Sequence, residues 1–99
     1  MDDEKWNQIM HRAVETFGKE KQTMMLFEEI SELQNAVCKE KRGRDSAEHI
    51  AEEMADVIIL LDQMCIIYGI EPQKVSNYFA EKLLRLEERM DELQARSNR

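Results

Sequence analysis

The sequence predicts an all-α protein, and three observations predict it. Only one proline and three glycines punctuate 99 residues. Glu, Lys, Leu, Met and Ala are abundant, while runs of β-branched residues are rare. Apolar residues recur at helical spacing in four successive blocks. Together these describe one four-helix bundle-like domain over 1–99, with a frayed tail expected at 95–99.

The first helix is read from about Asp3 to Phe17, ending at Gly18. Its stripe is Trp6, Ile9, Met10, Ala13, Val14 and Phe17. The second runs from about Lys19 to Lys41 on Met25, Leu26, Ile30, Leu33, Ala36 and Val37. It stops at RGRD, where Gly43 suits a helix C-terminus. Asp45 then starts the third helix, with Glu48 three residues on, as in a capping box. That helix reaches about Tyr68 and ends at Gly69. From Val57 to Ile67 it is apolar nearly all round, broken by Asp62 and Gln63, so it is expected to be buried on more than one side. Pro72 suits the first turn of the fourth helix, which continues to about Gln94. Its stripe is Val75, Tyr78, Phe79, Leu83, Leu86, Met90 and Leu93.

A chain this short sits near the lower limit for a self-sufficient core, so association with a second copy is expected. The net charge of −7 argues against polynucleotide and anionic-membrane partners. It leaves room for a nucleotide carried with a metal ion, which inverts the local sign. Cys38 and Cys65 form no CxxC and read as free thiols. The N-terminal MDDEKW has no apolar h-region, and VIILL is too short to span a bilayer. A cytoplasmic protein is expected.

The residues that point to chemistry are acids on oily faces. In FEEISEL, Glu29 and Glu32 share the arc of Met25, Leu26, Leu33 and Ala36. In EEMADVIIL, Glu53 and Asp56 share the arc of Val57, Leu60 and Met64. Acids three apart are neighbours on a helix surface, so each pair points one way. Glu28 and Glu52 lie toward the flanks. Taken singly, each pair reads as a solvated edge. Two such pairs on neighbouring helices, with no Lys or Arg between the paired acids, do not. Four carboxylates in a bundle interior stay ionised only beside a compensating cation. A hard divalent ion serves best, and an oxygen-only set favours Mg²⁺, with Mn²⁺ as substitute. Neither His11 nor His49 has a Glu three residues before it, so the ExxH pattern of di-iron bundles is missing. His49 reads as a helix-start or core-edge residue one turn before Glu53, able to support the ligands. The chemistry expected is metal-assisted attack of water on a phosphate.

With these acids the sequence resembles the MazG-like all-α nucleoside triphosphate pyrophosphohydrolases. EEISE (Glu28, Glu29, Glu32) followed by EEMAD (Glu52, Glu53, Asp56) is similar to their EExxE…ExxD signature. Phe17–Gly18, the YGI of Tyr68–Ile70 and the EKLLR of Glu81–Arg85 are weaker matches, and the likeness covers nearly the whole chain. The resemblance implies hydrolysis of an NTP or dNTP between the α and β phosphates. It implies Mg²⁺ on Glu29, Glu32, Glu53 and Asp56, with Glu28 or Glu52 as a further ligand or water-orienting base. It also implies a homodimer or a dimer of dimers.

Candidates for substrate contact follow. Lys82 lies on the Tyr78–Phe79–Leu86 face of the fourth helix with Arg85 and Arg89 at its edge, where it can either snorkel or meet phosphate charge. The resemblance, to a family whose terminal helix carries such a basic motif, implies phosphate contact by Lys82 and Arg85. The KEKRGRD turn reads mainly as solvated surface. Trp6 reads as core, with stacking on a base as its alternative. Gln22, on the arc of Glu29, is a candidate for reading a base edge. The rival from another class is a non-catalytic helical oligomerisation or adaptor module, which explains the stripes equally well but gives no reason for two inward acidic pairs.

Overall fold

The computed structural model describes residues 1–98. The described residues form four helices: α1 (Asp3–Phe17), α2 (Lys19–Lys41), α3 (Ala47–Tyr68) and α4 (Pro72–Ser97). The described residues contain no strand. The chain divides into two units at Gly69, and α4 belongs to the second. Within the first unit α2 and α3 pack most extensively, and α1 lies against both.

Each boundary has a local cause. Asp2 caps α1, its carboxylate accepting from the Lys5 N–H at 2.7 Å. A single residue, Gly18, joins α1 to α2 at φ 93° and ψ 152°, a region only glycine occupies readily. Its N–H still donates to the Val14 carbonyl, while its own carbonyl accepts from Gln22. A Cβ there would meet no neighbouring atom. The strain in Gly18→Ala is therefore purely backbone, and a loss of about 1–3 kcal/mol is expected in urea unfolding.

The α2 C-terminus closes as a Schellman motif. Gly43 is left-handed at φ 72°. Its N–H donates to Glu40, and that of Arg44 to Lys39. The start of α3 departs from the sequence expectation. Ser46, not Asp45, is the cap, its hydroxyl accepting from the His49 N–H at 3.2 Å. Ser46 is extended and three residues before a free helix-start N–H, which is what a cap needs. The Asp45 carboxylate is taken up by the Ser46 N–H and the His49 ring. Pro72 stands in the first turn of α4 as expected. The helix continues through Ser97, so 95–97 of the expected frayed tail are helical, and Arg99 lies outside the described residues.

The core of the first unit is small: Met10 and Val14 from α1, Ala36 from α2 and Leu60 from α3. Three polar side chains are buried with them, Gln22, Glu53 and Gln63. Many large apolar groups remain exposed, Met54, Ile58 and Leu61 of α3 among them. No described residue of α4 is buried. No helix of the described residues is long and apolar enough to cross a membrane.

Candidate metal centre

α2 and α3 are consecutive helices joined by a short turn, and one buried hydrogen bond shows how they are aligned. The Gln22 amide donates to Gln63 Oε1 at 2.8 Å. Gln63 in turn points its NH₂ at the Met10 sulfur, 3.8 Å away. Glu29 lies about two turns after Gln22, and Asp56 about two turns before Gln63. On helices running in opposite directions those equal spacings bring Glu29 opposite Asp56. The glutamine pair thus pins the register in which the acids meet, a use of buried polar groups known from coiled coils. Gln63→Leu leaves the Gln22 amide buried without its partner. A loss of about 1–3 kcal/mol is expected in chemical unfolding. Gln22→Leu combined with Gln63→Leu should cost less than the sum of the single changes.

The acids do meet. Glu29, Glu53 and Asp56 each offer a carboxylate oxygen, and these three atoms lie within 4.8 Å of one another. Glu53 is buried and Glu29 half-buried. One oxygen of each, Glu29 Oε2 and Glu53 Oε2, is sealed from solvent with no hydrogen-bond partner among the described residues. Orphaned buried oxygens are costly and call for a cation or a proton. Burial is the largest influence pushing the Glu29 carboxyl up to about 7 from 4.5, followed by the charges of Glu32, Asp56 and Glu53 and a hydrogen bond with Glu32. The donor set is all oxygen, gathered from two facing helices, and fits a hard divalent ion.

Glu32 is at the edge of this group. It interacts with Glu29 yet is exposed and outside the tight three-oxygen cluster. Glu28 and Glu52 are exposed and also outside it. Beyond Glu53 a chain of contacts continues along α3. His49 Nε2 is 3.1 Å from Glu53 Oε1, and His49 Nδ1 is 2.9 and 2.8 Å from the two Asp45 oxygens. The Asp45 hydrogen bond and charge, and then Glu53, raise the His49 pKa. The hydrogen bond from His49 leads in holding Asp45 below its usual value. The 45, 49, 53 spacing was the signal in the sequence, obscured by assigning Asp45 to the cap.

The candidates for base contact lie elsewhere. Gln22 is buried and its amide is engaged with Gln63. Trp6 is 41% exposed rather than enclosed in the core, and its indole N–H donates to Asp62 Oδ2 at 2.7 Å. With Met1, Ile9, Met10, Ala55, Ile58 and Ile59 it lines an open apolar cavity of about 400 Å³. At about 100° per residue, Ala55, Ile58 and Asp62 lie well around α3 from Glu53 and Asp56, while Ile59 sits on the flank beside Gln63. In the second unit Lys82 and Arg85 are both exposed, and Arg85 Nη2 pairs with Glu81 Oε1 at 3.1 Å.

Comparison with known families bears on the same residues. The model of the MazG nucleotide pyrophosphohydrolase domain matches residues 17–90, about three quarters of the chain. The match contains all six acids discussed, both glutamines, His49 and EKLLR, and leaves out Trp6. No curated protein and no solved structure matches the chain.

Proposed function

Given that this chain belongs to the MazG nucleotide pyrophosphohydrolase domain family, we propose that it hydrolyses a nucleoside or deoxynucleoside triphosphate between the α and β phosphates. The products are a nucleoside monophosphate and pyrophosphate. The observation that carries this reading is the pair of buried oxygens on Glu29 and Glu53, without a partner among the described residues and held beside Asp56 across two helices. Such oxygens suit Mg²⁺, with Mn²⁺ as substitute. When bound, the ion neutralises phosphate charge and lowers the pKa of a coordinated water.

The chain's own part is to hold oxygens in place. Glu29, Glu53 and Asp56 present theirs from a rigid helical pair. Glu32 adds negative charge at the exposed edge, where a substrate-bound ion would enter. Glu28 and Glu52, exposed beside the cluster, are the candidates for orienting water. Lys82 and Arg85 are assigned to triphosphate charge on the resemblance alone. The small core and the exposed apolar side chains of α3 support self-association, which sedimentation equilibrium tests.

The decisive experiment incubates the purified chain with a panel of NTPs and dNTPs, in Mg²⁺ and in EDTA, and separates the products. Metal-dependent release of monophosphate and pyrophosphate is expected. Diphosphate and phosphate would move the cleaved bond. No turnover, together with no Mg²⁺ effect on thermal melting, would leave a helical adaptor module as the better reading.

A further inference from the structure

The two oxygens of Glu53 have different surroundings. Oε1 is 3.1 Å from His49 Nε2, whereas Oε2 is buried with no partner among the described residues and belongs to a residue of the acidic cluster. The ring that holds Oε1 is itself held. Both Asp45 oxygens are within hydrogen-bond distance of Nδ1, which fixes the ring plane from the far side. Asp45 is fixed in turn by the N–H of Ser46, the capping residue of α3. A rigid helix start is thereby linked, through a side chain at each successive turn, to one carboxylate of the cluster.

We propose that His49 is a positioning residue for Glu53. It binds one carboxylate oxygen so that the other is presented to the divalent ion shared with Glu29 and Asp56, and Asp45 orients His49 for that task. The inference rests on the reading of the three acids as a metal site. Its physical basis is preorganisation. An unrestrained glutamate side chain samples several rotamers and loses that freedom on coordination. Glu53 has lost it before the ion arrives. Partners of metal ligands act in this way elsewhere, and their loss typically weakens metal binding 10- to 100-fold. The location of His49 separates this role from a packing role. Its side chain is 45% exposed, so it contributes little to the core.

The test measures Mn²⁺ affinity of the full chain without nucleotide, from the electron paramagnetic resonance signal of the free ion. His49→Ala is expected to weaken binding about tenfold while leaving the metal-free unfolding midpoint unchanged. His49→Gln places an amide N–H where the ring Nε2 stood and should recover most of the loss. Asp45→Ala, which keeps the ring but frees it, should show a smaller loss. Unchanged Mn²⁺ affinity in His49→Ala would overturn the proposal. So would tighter binding, because the ring would then be a competitor of the ion. Equal loss in His49→Gln and His49→Ala would also overturn it, since the restored donor would have done nothing. Absence of Mn²⁺ binding by the wild type would overturn the metal reading itself, and the role of His49 with it.

Discussion

Asp56→Asn is expected to lower hydrolysis on the order of 10²- to 10³-fold without unfolding the chain. The amide keeps the size and shape of the carboxylate, so the packing of α2 against α3 is undisturbed. It removes the charge proposed to ligate the metal, and with it one of the three charges that crowd Glu29. The metal-free variant should therefore melt no lower than the wild type above pH 7, and the increment that Mg²⁺ adds to the melting temperature should shrink. Steady-state kinetics and paired melts with Mg²⁺ and EDTA measure both. Full activity in this variant would remove Asp56 from the site. A residue kept for stability alone would show the opposite pattern, a lowered melting temperature with turnover retained.

Metal binding should also be steeply pH-dependent, and Glu29 sets the window. Its carboxyl is pushed up to about 7 in the folded chain, against 4.5 for an ordinary glutamate. Between those values the folded state holds a proton that the unfolded state has released. Stability of the metal-free chain therefore falls as pH rises from about 4.5 to about 7, and Glu29 adds no further change above that. An incoming ion must displace that proton below pH 7 and need not above it. Apparent Mg²⁺ affinity is expected to be about tenfold weaker at pH 6 than at pH 8. Calorimetric titration in two buffers of different ionisation enthalpy should count close to one proton released at pH 6. Glu29→Gln should flatten the metal-free stability profile across the same window. A flat affinity profile in the wild type would show that Glu29 is already ionised without metal.

The acidic site was legible because its signal is local. Two acids three apart on an apolar arc are visible in any one helix, and the same signal occurring twice named both walls of the site. Glu29, Glu53 and Asp56 come together as the arcs indicated. Their alignment was not legible, because the glutamines that fix it are remote in sequence. Gln63 stands out only as a break in an apolar run, and Gln22 as a candidate for reading a base edge. Pairing of an amide with an amide leaves no charge pattern to read. The start of α3 shows the same limit at short range. Asp45 and Ser46 are both good caps, and the choice turned on which of them the His49 ring would engage. The core reading of Trp6 fails because an apolar stripe does not say which side of a neighbouring helix it covers. It lies over the face of α3 away from the acids, with its N–H on Asp62.

The glutamine pair also dictates where this hairpin can change length. One residue added between Gln22 and Glu29, or between Asp56 and Gln63, would swing an acid about 100° around its helix and out of the cluster. The same residue added in the turn from Arg42 to Asp45 would move neither acid, because the pairing is anchored on the other side of them. Insertions and deletions should therefore be tolerated at the tip and excluded from the two spans between amide and acid. Drift in chain length has one open end, and a library of single-residue insertions across 20–65 would trace its edge.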